Sequence, residues 1–205
     1  MRTLKYDLDS IQVKQLIKCD SKLKSLCESV QTVTVTLHDD YFESLIFTIL
    51  SQQLSSKVAQ IMINRFVNLL NHQLDPQKIL TFSDEEYRQI GLSYQKIKYI
   101  RSLSDAVIQK VVDFQLMEQM DDQQIIEMLI KVKGIGPWSA DMFLMFSLGR
   151  EDVFSALDLG LRNAVKNLYN NQNLTNLEIQ LISEKWKPYR SIASHFLWHS
   201  HDQNG

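Results

Sequence analysis

An all-α fold is predicted by three observations. Only three prolines and six glycines punctuate the 205 residues, helix-start signals recur, and apolar residues return at helical spacing. With 44% hydrophobic residues the chain can bury one good core or split into two small lobes around a cleft, and it is not disordered.

Taken in order, the first feature is the exception. Thr32-Val33-Thr34-Val35-Thr36-Leu37 alternates as extended chain does and is short enough to be a connector. Asp40 with Glu43 has capping-box spacing ahead of Tyr41 to Leu50, a run whose apolar residues recur as on a helix, and Val58 to Leu70 repeats the pattern. Asp75-Pro76 and Ser83 with Glu86 mark further starts, and Gly91 sits where a helix should stop. Met142-Phe143-Leu144-Met145-Phe146 is apolar on every side, as a central buried helix would be, and Gly149 follows as a stop. Thr175 with Glu178, and Trp186-Lys187-Pro188, open the last helices. No repeat, low-complexity tract or long linker interrupts the chain.

Composition excludes several classes. Cys19 and Cys27 are the only cysteines, so a disulfide framework, a four-cysteine zinc site and a four-cysteine iron–sulfur cluster are all ruled out. The leading residues lack an apolar signal core and no apolar stretch reaches the roughly 20 residues of a membrane span, so a cytoplasmic protein is expected. Net charge is −2, but its distribution is uneven. Asp113, Glu118, Asp121, Asp122 and Glu127 suggest an acidic outer face, whereas Lys96, Lys98, Arg101, Lys131, Lys133, Lys185, Lys187 and Arg190 suggest a basic working face; plain solvated helix surface is the alternative for both.

Two motifs carry chemistry. In Lys133-Gly134-Ile135-Gly136-Pro137-Trp138, two glycines around an aliphatic residue let a tight hairpin expose backbone N–H groups to a phosphate, and Pro137 is preset for a first helical turn. Downstream, Asp158 ends Phe154-Ser155-Ala156-Leu157-Asp158 ahead of the amphipathic run Leu159 to Leu168, where an aspartate is most often an N-cap. A capping aspartate is also held in one rotamer, so it can serve as a fixed charge. Glu151 and Asp152 read as a solvated turn.

Four blocks in this order resemble the helix-hairpin-helix DNA glycosylase superfamily, specifically the branch typified by bacterial 3-methyladenine DNA glycosylase II. They are Phe42-Glu43-Ser44-Leu45 with Ile49-Leu50-Ser51-Gln52-Gln53; the hairpin Leu129 to Ala140; the acidic loop Asp152 to Asp158; and Trp186-Lys187-Pro188-Tyr189-Arg190-Ser191 with Leu197-Trp198. The likeness spans roughly residues 40 to 200 and puts the helix-hairpin-helix at about 121–148. It implies two helical lobes with a cleft between them, the N-terminal segment returning to the C-terminal helices. Residues 1–205 would form a single glycosylase unit, without the separate N-terminal α/β domain of the larger bacterial enzyme.

The resemblance also implies roles. Asp158 falls where the family has its single essential carboxylate, which would stabilise the positive charge that grows on the sugar as an N-glycosidic bond breaks. Trp138 stands where strand-cutting members carry a lysine nucleophile, implying a monofunctional hydrolase, although Lys131 and Lys133 lie close in sequence. Lys133, Gly134, Ile135, Gly136 and Ser139 would contact DNA, with a solvent-facing role as the alternative for Lys133. Trp138 and Trp186 match positions near the base pocket, with core packing as the alternative for each, and Met142 and Leu159 replace pocket tyrosines of the larger relative. Trp198 reads as packing between helices. Gln53 matches the residue that fills the gap in DNA, with Leu54 as its substitute, and an internal hydrogen-bonding or packing role is the alternative for either. Backbone carbonyls of Ile130, Val132 and Ile135 would hold a monovalent cation, potassium or sodium; no other cofactor is implied.

The implied activity is excision of 3-methyladenine and 7-methylguanine from double-stranded DNA by a monomer that flips the base. Two alternatives stay open: a glycosylase for deaminated or mismatched bases, and a non-catalytic DNA-binding protein in which Asp158 is only a cap.

Overall fold

A computed structural model describes residues 2–203, with side chains to residue 200. It divides into two compact units, Met1–Asp39 with Leu144–Gly205, and Asp40–Phe143. The chain therefore leaves the first unit, builds the second and returns.

The first unit opens with strand β1 (Arg2–Asp7), helices α1 (Ile11–Cys19) and α2 (Ser21–Val30), and strand β2 (Thr32–Leu37). Thr32–Leu37 is thus not a connector: it pairs antiparallel with β1, Tyr6 opposite Val33 and Leu4 opposite Val35. Its alternation puts Val33, Val35 and Leu37 into the core and leaves Thr34 and Thr36 outside. After the second unit, which contributes seven α-helices, the chain returns as α10 (Leu159–Tyr169), α11 (Asn176–Ser183) and α12 (Arg190–Gln203). The core gathers Val13, Leu16, Leu23, Leu161, Val165, Phe196 and Leu197 from these helices with the inner face of β2.

The second unit runs α3 (Tyr41–Ser51), α4 (Ser56–Leu69), α5 (Pro76–Thr81), α6 (Asp84–Gln89), α7 (Tyr94–Ile108), α8 (Asp122–Leu129) and α9 (Pro137–Phe143). Local chemistry explains these starts. Ser83 and Thr175 make reciprocal capping boxes with Glu86 and Glu178, as their spacing predicts, and Asp121 makes another with Gln124. Asp40 and Asp75 accept backbone N–H groups, with Pro76 at the first turn of α5. Gly91 and Gly149 take positive φ (98° and 69°) and act as stops. Phe42, Leu45, Ile46, Ile49 and Leu50 of α3 are all buried, as are Phe66 and Tyr87, whose rings stack at 5.8 Å. Met142 to Phe146 is not one uniform α-helix. α9 ends at Phe143, and Leu144–Leu148 continues as a wider π-helical turn, a departure that often marks functional segments.

Among the described residues, no helix is long and apolar enough to cross a membrane.

Candidate active site

The hairpin lies in the second unit between α8 and α9. Val132 N–H donates to Leu129 O at 3.0 Å and Ile135 N–H to Val132 O at 3.1 Å, closing two successive tight turns. Gly134 is required twice over: its φ is +97°, and a Cβ there would lie 2.3 Å from the ring of Tyr99. Gly136 is different. A Cβ there meets nothing within 4 Å, so its surface is open to whatever the hairpin holds. Lys131, Lys133 and Pro137 are exposed, and Trp138 keeps 38% of its surface.

One expected DNA contact, the side chain of Ser139, does not hold. Ser139 is only 4% exposed because the first turn of α9 faces it inward, so it offers DNA no side chain, and Ile135, equally buried in the hairpin turn, can offer only backbone. The basic working face is also narrower than the charges suggest. Lys96 donates to backbone carbonyls, Arg101 bonds Asp84 at 2.8 Å, Lys187 bonds Glu184 at 2.6 Å, Arg190 bonds Asp152, and Lys185 sits 5.7 Å over Tyr169. Lys98, Lys131 and Lys133 remain exposed on the second unit, where Lys98 and Lys133 line an open groove of about 660 Å³.

The two glycines make contrasting predictions. Gly136→Leu should leave the fold intact yet weaken binding to damaged and undamaged duplex alike, by about an order of magnitude, because N–H groups that grip phosphate read no base. Gly134→Ala should instead unseat the hairpin from Tyr99 and lower the melting temperature. Titrations in which Gly136→Leu lost affinity for damaged DNA alone would contradict this.

Asp158 lies in the first unit at the N-terminus of α10. Its Oδ1 accepts the N–H of Leu161 at 2.8 Å and the indole N–H of Trp198 at 3.1 Å. Trp198 is therefore not mere packing between helices: it orients the carboxylate. Room for that bond depends on Gly160, where a Cβ would fall 3.2 Å from Asp158 Oδ1 and 3.4 Å from the indole nitrogen. The loop ahead is pinned by Asp158 N–H to Ser155 O at 3.1 Å, and by the Arg162 guanidinium on the carbonyls of Ala156 and Leu157.

Glu151 and Asp152 are not a solvated turn. Arg190 clasps Asp152 through Nε at 2.8 Å and Nη2 at 3.1 Å, while Glu151 accepts from Tyr6 and Gln12. The Arg190 bonds, with Val153 N–H on Ser191 Oγ at 2.9 Å, bolt the acidic loop to the start of α12, while the Glu151 bonds tie it to β1 and α1.

Trp186 is not a pocket residue. It is fully buried, its ring meets Phe154 edge-on at 5.6 Å, and its indole N–H donates to Asp20 Oδ2 at 3.0 Å, so no face is left for a base. Leu159 is 61% exposed and Met142 half-buried, each in its own unit. Gln53 is exposed at a turn apex with φ 59°, while Leu54 is half-buried, which favours Gln53 as the outward-reaching residue.

Two of the three carbonyls expected to hold a cation keep acceptor capacity. Ile130 lies past the last residue of α8, where carbonyls are not consumed by the helix, and Val132 O keeps a second lone pair beside the bond from Ile135.

Behind Trp198, His195 is packed against Phe146 at 5.3 Å and Trp198 at 5.7 Å, and burial pushes its pKa down to about 4. The unfolded chain takes up this proton near pH 6.5 and the folded chain only near 4, so stability is complete above 6.5 and falls with pH across that window. The loss is up to about 3 kcal/mol. Urea titrations should show this slope in the wild type and a shallower one in His195→Phe; equal slopes would contradict it.

A family model described as HhH-GPD superfamily base excision DNA repair protein matches residues 46–188. DNA-3-methyladenine glycosylase 1 of Schizosaccharomyces pombe is 35% identical over 161 residues, covering 77% of this chain and 71% of the relative. Among solved structures, a DNA-3-methyladenine glycosidase from Bacillus halodurans superposes with a TM-score of 0.89 at 36% identity, covering 98% of this chain and 93% of that one. The 3-methyladenine DNA glycosylase of S. pombe in complex with abasic DNA gives 0.84 at 31% identity, covering 94% and 97%.

Proposed function

We propose, because the chain belongs to the HhH-GPD superfamily of base excision DNA repair proteins, that it is a monofunctional DNA glycosylase that flips alkylated purines out of duplex DNA and hydrolyses their N-glycosidic bond. It acts as a cytoplasmic monomer without a catalytic cofactor. Its substrates are 3-methyladenine, which the relatives' names carry, and 7-methylguanine, a purine made cationic in the same way.

The observation that carries the reading is the Asp158 carboxylate, fixed by one backbone and one indole donor. Alkylation puts positive charge on the purine and weakens its bond to the sugar, so the leaving group needs little help. As the bond breaks, charge moves to C1′ and O4′, and an anion already held in place stabilises it without reorganising. The same carboxylate can orient or deprotonate the attacking water. The hairpin N–H groups and Lys133 hold the backbone phosphate, Gln53 fills the vacated stack, and the face of Trp138 attracts the cationic base. A potassium or sodium ion held by Ile130, Val132 and Ile135 would add positive charge toward the phosphate.

With tryptophan at 138, the product should be an intact strand bearing an abasic site, and borohydride should trap no enzyme–DNA adduct. Breaks should appear only after hot alkali. A stable crosslink lost on mutating Lys131 or Lys133 would make the enzyme a bifunctional lyase.

A further inference from the structure

We propose, granting the base-flipping reading above, that Lys96 and Gln52 are positioning residues that clamp the strained turn bearing Gln53 to the DNA-binding hairpin. Gap filling and phosphate holding would then act through one preorganised assembly.

The turn after α3 closes with Leu54 N–H on Ser51 O at 3.1 Å. Gln52 has φ −51° and ψ 131°, and Gln53 has φ 59°, the signature of a type II turn whose third position ordinarily takes glycine or asparagine. A glutamine in that region is strained, and such strain persists where surroundings over-determine it. The surroundings here are specific. From α7, the Lys96 ammonium donates to Leu50 O in the last turn of α3 and to Gln52 O, the latter at 3.0 Å. It is half-buried, and burial lowers its pKa, so these carbonyls replace water that the ammonium has lost. Gln52 Nε2 reaches across to Gly134 O at 2.7 Å, tying the turn to the hairpin. One turn along α7 from Lys96, Tyr99 is the ring on which Gly134 rests. A single helix therefore presents the cation that holds the Gln53 turn and the ring that seats the hairpin.

Such fixing has a function in base flipping. The extruded nucleotide leaves a gap to be occupied while the phosphate is gripped, and a side chain on a loose turn would lose entropy on entering it. Holding Gln53 in advance removes that loss.

The test is a double-mutant cycle on single-turnover excision from a 7-methylguanine duplex. Lys96→Met should slow excision about tenfold or more in the wild-type background and less than about twofold in a Gln53→Ala background, since it acts through Gln53. Gln52→Leu should behave the same way, and it decides the matter if circular dichroism shows Lys96→Met to be unfolded. Equal losses in both backgrounds, or a Gln53→Ala variant as fast as the wild type, would overturn the clamp. A wild type that releases no base would instead reject the glycosylase reading itself.

Discussion

Asp158→Asn is expected to reduce single-turnover base excision by about two orders of magnitude or more while leaving the fold and DNA binding nearly unchanged. The two effects separate for a structural reason. Leu161 N–H and the Trp198 indole both meet Oδ1, and an asparagine carbonyl can accept both. Asparagine also caps helices as well as aspartate does, so α10 keeps its start. What disappears is the negative charge that the oxocarbenium-like transition state needs. An Asp158→Asn enzyme retaining more than about a tenth of the wild-type rate would reject the carboxylate role. Loss of folding, seen as a large fall in melting temperature, would show that the cap tolerates no amide.

The same substitution at Asp20 should have the opposite outcome. Asp20 is only 7% exposed. Its Oδ1 accepts the N–H groups of Lys22 and Leu23, capping α2, while Oδ2 accepts Tyr169 Oη and Trp186 Nε1. Burial alone would raise its pKa, but these bonds outweigh that effect and hold it below the ordinary value. In Asp20→Asn one oxygen can still cap α2, yet the amide nitrogen then faces two donors. Asp20→Ala leaves both donors unsatisfied in the core. Either change should cost about 3–5 kcal/mol, measured by chemical denaturation, and the unfolded fraction should account for any loss of activity. A stable Asp20→Asn protein would show that Tyr169 and Trp186 find other acceptors.

What is readable in the sequence follows how far apart the interacting groups lie. Capping boxes at Ser83 and Thr175, the stop at Gly91 and the glycine hairpin are local chemistry, and each is visible within a few residues. Strand β1 is not, because its charged sequence acquires a strand only by pairing with β2 about 30 residues later. The tryptophans show the same limit. Trp186 and Trp198 both sit in the C-terminal block of the family resemblance, and what separates them is a partner: Asp20, 166 residues from the first, and Asp158, 40 residues from the second. Ser139 reads as available because it follows the hairpin, but helical phase turns it inward. Lys96 reads as surface charge because its carbonyl partners carry no side-chain signature. Asp20 does offer a clue, a helix cap ahead of Ser21, but not its tie to Trp186.

Whether Asp158 drives base excision is read directly by chromatography of free bases released from alkylated duplex DNA by the wild-type chain and by Asp158→Asn. The wild-type supernatant should contain 3-methyladenine and 7-methylguanine, with release by the Asn variant lower by about two orders of magnitude. Retained DNA binding with no base released would make the chain a non-catalytic hairpin protein. Release of only deaminated or mismatched bases from matching substrates would assign it a different lesion.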